Sequence, residues 1–482
     1  MDEQTVVVCS AQRAAYPAEP PFDPPNHVYD AVRACFARAG LDAGREGTPE
    51  WNPLAELIGP GETVLIKPNF VKESHPRDPQ GWRYVLTHGS VIRAVADHVF
   101  AAVGREGRVV IADAPQTDSS FEGIVRVLGL ERVQAHYRER GFELELIDLR
   151  REEWLNRGGV IVGRTPLAGD PRGGVAFDLG ADSELAGHGG AGRYYGAFYD
   201  AGEVNRHHSG GRHEYLVSAS AIEADVIFSL PKLKTHKKAG ITVSLKNLVG
   251  LNADKNWLPH HTEGNPTNGG DEYPEPSAVH RLERILARGF RQLTLRVPGV
   301  GPWLHRQARP VGLSLFGDTE TVVRSGNWWG NDTTWRMCLD LNKLVLYGNP
   351  DGTMRSAGRE HRKRHFVLVD GVIAGEGRGP LNPDPVAAGL LVFGLHPASV
   401  DAVSAVLMGF DPDRIPIVRG AFRCERYPLA EWGWHDVRVL ADRPEWSQRL
   451  PEIAPDSTFH FEPHFGWTGK IEREAEVGAA RG

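Results

Sequence analysis

The sequence predicts an α/β protein, a doubly wound and mostly parallel sheet core with a large insertion. Three observations predict it. Short β-branched apolar runs alternate with amphipathic stretches through residues 5–230. The runs are almost uninterrupted in their apolar character, as strands covered on both faces are. The same rhythm returns after residue 364, following a long interval without it.

Taken in order, residues 5–9, 63–66, 108–112, 144–149 and 224–230 read as strands. Residues 27–39 and 90–103 read as helices. In the second, Val91, Val95, Val99 and Val103 recur on one side, Thr87 or Ser90 is placed to cap it and Gly104 to end it. Residues 156–212 keep neither period. They read as a long excursion with short strands such as 174–179, and Tyr194, Tyr195, Phe198 and Tyr199 argue for order within it. Residues 252–364 form a second atypical block. It holds a basic amphipathic helix near 277–291 and the aromatic run GNWWGNDTTWRM, which leads into the apolar stretch 339–347. Residues 365–369 and 390–394 then read as strands, and 399–408 as a helix ended by Gly409. The chain divides accordingly into a first part of the core (1–251), an insertion (252–364), a second part of the core (365–440) and a C-terminal extension (441–482). Two packed α/β lobes would give the same linear pattern.

The 482 residues carry 55 Lys plus Arg against 62 Asp plus Glu, a formal net charge of −7, which argues against a dedicated nucleic-acid binder. The four cysteines are Cys9, Cys35, Cys338 and Cys424. They are far apart, so no iron–sulfur or thiolate zinc motif is present and reduced thiols are expected. No leader-like or transmembrane run is visible, and a cytoplasmic location is expected. Oligomeric state is left open.

Residues 231–251, PKLKTHKKAGITVSLKNLVGL, contain five lysines and a histidine without one carboxylate. In open α/β sheets ligands sit beyond the carboxyl ends of strands, and these residues follow one such end. Lys232, Lys234 and His236 alternate, so an extended chain aims them to one side. Like charges this close repel unless solvated or matched by an anion, although an exposed basic loop fits the same letters. Lys67 and Asn69 follow another strand end and would join them, or merely form a strand-end turn. Lys246 and Asn247 lie where two periods compete. Ile241, Val243 and Leu245 alternate like a strand, whereas Ile241, Leu245, Leu248 and Val249 fit a helix whose first amides would face the lysines. Asp370 and Glu376 are the acidic counterparts, with Asp370 before Gly371 also fitting a plain turn and Asp401 fitting the first turn of a helix. The other histidines, His260 and His261 among them, read as structural or solvent-exposed, and no metal signature is present.

The ordered set IKPNF, THGSVIRAV, IADAP, ADVIFSLPKLKTHKKAGITVSLKNLVG, VDGVIAGEGRGP and SVDAVSAVLMG resembles the domain-of-unknown-function family 362 over residues 63–409. The aromatic block and the terminal FEPHFGWTGKIE look like a subgroup associated with polysaccharide gene clusters. The family is also distantly similar in organisation to nickel-dependent lactate racemases, in which a Lys and histidines serve a pincer nucleotide. That resemblance leaves room for a metal or nucleotide cofactor. The cluster domain that some members append would need cysteines this chain lacks.

The expectation is an enzyme for a small anionic ligand such as a carboxylate, sugar acid or nucleotide sugar. Lys67, Asn69, Lys232, Lys234 and Asn247 would bind it, and His236, Lys246, Asp370 and Glu376 would exchange protons as in an isomerase, epimerase or lyase. A rival expectation is a non-catalytic binding or assembly protein of polysaccharide production, using Trp328–Trp335 as a contact face.

Overall fold

The computed structural model describes residues 1–157, 160–196, 201–276 and 322–474. The basic helix expected near 277–291, and Phe198 and Tyr199, lie outside the described residues. An 11-stranded sheet forms the centre. Its strands are β1 (Thr5–Ser10), β2 (Thr63–Pro68), β3 (Arg108–Asp113), β4 (Leu144–Asp148), β5 (Val226–Leu230), β6 (Lys232–His236), β7 (Gly240–Thr242), β8 (Arg364–Glu376), β9 (Asp384–Val386), β10 (Leu390–Gly394) and β11 (Arg438–Ala441). The main path runs β11-β1-β10-β8-β5-β2-β3-β4, while β6 and β9 pair with β8, and β7 pairs with β6. Along that path every pairing is parallel except the two made by β10, so the mostly parallel sheet is borne out.

Both faces of the sheet are buried, which is why its strands are apolar at nearly every position. Val6 and Val8 of β1 pack on the side covered by α3 (Thr334–Tyr347) and α4 (Pro397–Leu407). Val7 and Cys9 pack on the opposite side with α1 (His27–Arg38) and α2 (Gly89–Val103). This is the doubly wound arrangement, and each fully buried Val or Leu contributes about 1.5–3 kcal/mol to it.

Several local expectations change. The N-cap of α2 is His88, whose Nδ1 accepts from Ser90 N at 3.1 Å, instead of Thr87 or Ser90. Thr87 has another task, since its hydroxyl accepts from Asn69 N and donates to Leu230 O, tying the end of β2 to the end of β5. The strand expected over 365–369 runs on through Asp370 and Gly371, because β6 and β10 offer backbone on its two edges. The two competing periods of 241–249 are both present in succession. Gly240–Thr242 pairs antiparallel with β6, and Ser244–Asn247 then makes a single helical turn. Gly240 sits at φ +81°, and a Cβ there would lie 3.1 Å from the ring of Trp467. Trp467 in turn donates its indole N–H to Lys237 O, so the C-terminal segment closes over the β6–β7 hairpin.

Strands β2, β3 and β4 succeed one another toward one edge of the sheet, whereas β5 lies on the other side of β2. The order therefore reverses between β2 and β5, and their carboxyl ends flank a topological switch point. Replacing Thr87 with Val strands Asn69 N–H and Leu230 C=O in a buried place. A loss of about 1–3 kcal/mol is expected, read as a lower urea midpoint with unchanged slope.

Candidate functional site

At the switch point the ends of β2 and β3 meet in an ion pair, Lys67 Nζ to Asp113 Oδ2 at 2.9 Å, with both side chains buried. Lys67 also donates to Pro68 O at 2.6 Å and to Asn247 Oδ1 at 3.3 Å, and Asp113 accepts from Phe70 N at 2.7 Å. Burial lowers the Lys67 pKa and raises that of Asp113, each opposed by its partner's charge. Asn247 accepts from Asn69 Nδ2 at 3.0 Å and donates to Lys67 O and Ser229 Oγ. A Cβ at Gly250 would overlap Asp113 Oδ1 and come 2.8 Å from Lys67 Nζ, which explains the small residue there.

A second buried pair follows from the register of β6 against β8, which sets Lys232 beside Asp370. Lys232 Nζ lies 3.1 Å from Asp370 Oδ2 and also donates to the Tyr16 hydroxyl. Asp370 accepts from Tyr16 Oη at 2.6 Å and from His88 N at 2.9 Å, and the Tyr16 ring stacks on the His88 imidazole at 3.9 Å. Desolvation lowers the Lys232 pKa and Asp370 counters it. Asp370 is thus committed to several donors inside the fold.

Lys234 differs from both. Its side chain is fully buried and its ammonium nitrogen donates to Val85 O, yet among the described residues no carboxylate lies within ion-pair distance. Desolvation drives its pKa well below that of an ordinary lysine, and the charges of Lys232 and Lys246 push the same way. Thr242, opposite Lys234 in the hairpin register, has a buried hydroxyl with no hydrogen-bond partner among the described residues, as does the Oδ1 of Asn69. Facing cross-strand residues share one side of a hairpin, so the unpartnered hydroxyl belongs to the Lys234 side.

His236 ends the strand. Its Nδ1 accepts from Lys238 N and Ala239 N, so Nδ1 carries the lone pair and Nε2 the proton. Burial holds the ring neutral, its pKa well below the usual histidine range, and Lys246, Lys237 and Lys234 add to the effect. Lys246 is half-buried and makes no ion pair among the described residues. The turn that carries it does not offer free amides to a ligand, because Asp401 accepts from Ser244 N at 2.8 Å and Leu245 N at 3.1 Å.

Glu376 stands apart from the lysines. Its Oε2 accepts from Glu462 N at 2.8 Å, and burial, with Glu462 and Asp384 nearby, raises its pKa. The residues that sequence reading passed over are Lys238, His260 and His261, of which Lys238 Nζ and His261 Nδ1 lie 3.3 Å apart. Nothing in the spacing of 238 and 260–261 signals that the β6–β7 turn meets them. Trp328 and Trp335 are half-buried, and Trp329 is 39% exposed. No cluster of metal-ligating side chains occurs among the described residues. Nor is any helix among them long and apolar enough to cross a membrane.

The family model for a domain of unknown function, DUF362, matches residues 152–406, more than half of the chain. This chain belongs to the DUF362 family. It is similar, at 21% identity over 378 residues, to a thylakoid-associated protein of Synechocystis, covering 78% of this chain and 72% of that one. A solved structure of a Thermotoga maritima protein aligns with 74% of this DUF362 chain at 14% identity and a TM-score of 0.29, and the match spans 56% of that protein's length.

Within this DUF362 site, Asp401 offers a pH test of the turn that carries Lys246 and Asn247. Burial raises its pKa to about 8, against the lowering effect of the two backbone N–H groups. An unfolded Asp ionises near pH ~4, so between roughly pH 4 and 8 the folded state holds one more proton and stability falls as pH rises. Asp401→Asn removes that contribution. Its stability relative to the parent protein is expected to increase steadily from pH 5 to pH 8 in denaturant titrations.

Proposed function

We propose that this protein is an enzyme acting on a small anionic substrate at the β2/β5 switch point, with Lys234 as the group that moves a proton. The observation that carries the reading is Lys234 itself, an amine buried without a carboxylate beside the unpartnered hydroxyl of Thr242. A buried amine whose pKa is driven well below that of an ordinary lysine gives up its proton more readily and can act as a base, and perturbed lysines of this kind concentrate at active sites. Lys67 and Lys232 have their own carboxylates and frame the site. The half-exposed Lys246 supplies the charge that meets the anion, and His236 presents Nε2–H as a donor.

Such an arrangement suits proton abstraction beside a carboxylate or a similar acidifying group, the first step of an isomerase, epimerase or lyase. Lys234 in its unprotonated form takes the proton from substrate carbon. Lys246 and the His236 N–H stabilise the negative charge that develops on substrate oxygen. Asp370 and Glu376 then have supporting places, Asp370 by holding Lys232 and Glu376 by fixing the backbone of Glu462. A purely assembling role would rest on an exposed aromatic face, and of this block Trp329 is exposed while Trp328 and Trp335 are half-buried.

Replacing Lys234 with Met tests the reading. The variant loses a buried amine that has no counterion, so its stability is expected to match or exceed that of the parent, by about 1 kcal/mol. Ligand-induced thermal shifts with a panel of small carboxylates and sugar acids should disappear in it. Binding equal to that of the parent chain would overturn the assignment.

A further inference from the structure

Beside Lys234 the β6–β7 turn, the Lys246 turn and residues 260–261 bring together a second set of basic groups. Lys238 is buried and contacts His261, His236 precedes it, and Lys246 lies within electrostatic reach of Lys67, Lys234, His236, Lys238 and His260. The carboxylates whose charge acts on Lys238 are those of Asp271 and Glu272, and Asp401 beside Lys246 is held by Ser244 N and Leu245 N. Asp271 is occupied by Thr262 N, Asp332 N and the amide and hydroxyl of Thr333. Among the described residues neither Lys238 nor Lys246 has a carboxylate within ion-pair distance.

We propose that this basin, formed by His236, Lys238, Lys246, His260 and His261, holds a dianionic phosphoryl group of the substrate. The proposal rests on the reading of the site as one for a small anionic substrate, and it narrows the class. A planar carboxylate has two oxygens in one plane, whereas a tetrahedral phosphoryl group spreads its oxygens and can meet donors arriving from three chain segments. The donors are of the required kind. His236 presents Nε2–H, and His261 does too, because its Nδ1 faces the Lys238 ammonium. His260 donates Nδ1–H to Leu258 O, leaving Nε2 as a lone pair.

The electrostatics give the binding a signature. Burial, with Lys237 and Lys246 nearby, lowers the Lys238 pKa to about 7, with Asp271 and Glu272 acting in the opposite sense. Burial, with Lys238, Lys246 and Lys255 nearby, lowers that of His260 to about 3. A dianion stabilises the protonated form of Lys238, so its pKa rises on binding, protons are taken up and affinity increases as pH falls, while His260 stays neutral.

Calorimetric titration of the full chain with inorganic phosphate, glycerol 3-phosphate and acetate tests this, in buffers of different ionisation enthalpy at pH 8, where phosphate monoesters are dianions. Both phosphates are expected to bind about tenfold or more tightly than acetate with uptake of protons. Lys238→Met and Lys246→Met should each weaken phosphate binding about tenfold, the first also reducing the uptake, and leave the melting temperature close to that of the parent. Phosphate binding no tighter than acetate overturns the proposal while leaving the small-anion reading standing, and an absence of binding by all three overturns both. Phosphate binding that neither variant alters overturns the basin as its location. Binding of inorganic phosphate without the ester overturns its assignment to the substrate.

Discussion

An ammonium group leaves water only at a cost of several kcal/mol unless an opposite charge accompanies it, and three lysines within the strands of this sheet, Lys67, Lys232 and Lys234, are fully buried. Lys67 has Asp113 and Lys232 has Asp370. These two pairs fix the geometry around them. Asp113 receives Phe70 N and so shapes the exit from β2, while Asp370 receives Tyr16 and His88 N and so holds the start of α2. The third lysine, Lys234, lies in the same strand as Lys232 with no charge to meet it. The neighbouring pairs therefore act as a rigid frame around one deliberately unbalanced position, the kind of local conflict that folded proteins keep at sites of use.

The framework of the sheet was legible because burial on both faces writes itself into sequence as unbroken apolar runs. β1 to β5 and β10 appear within a residue or two of the expected bounds. What sits at the strand ends was legible only in part. Alternation placed Lys232, Lys234 and His236 on one side; they do share β6, but its register against β8 shifts between Lys232 and Lys234. Alternation says nothing about solvent, however, and the same letters fit an exposed loop. Pairing was equally hidden, since Lys67 meets Asp113 and Lys232 meets Asp370 through lateral register, which depends on strands distant in sequence. The alternative of a plain turn at Asp370 and Gly371 fails for a related reason. An Asp-Gly step bends the chain when solvent surrounds it, but here backbone partners lie on both edges.

The DUF362 match begins at residue 152, after β4, and the site does not respect that boundary. Tyr16, Lys67, Asn69, His88 and Asp113 all lie before it, and each touches a matched residue or its ion-pair partner. The matched segment supplies Lys232 with its own counterion Asp370, and also Lys234, whereas the earlier residues supply the Lys67–Asp113 pair and the donors, Tyr16 and His88 N, that position Asp370. The chemistry of the site is accordingly a property of the whole sheet.

Strand β1 has two partners, and both come from far along the chain. Val6 lies opposite Gly394 of β10 and Thr5 opposite Arg438 of β11. As the polypeptide leaves the ribosome, β1 must wait with both edges bare until β10 and β11 have been synthesised. Its side of the sheet can close only then. Contacts of such long sequence separation form slowly, and an apolar strand with open edges is exposed to wrong partners meanwhile. Assembly of this part of the sheet therefore follows the synthesis of β10 and β11.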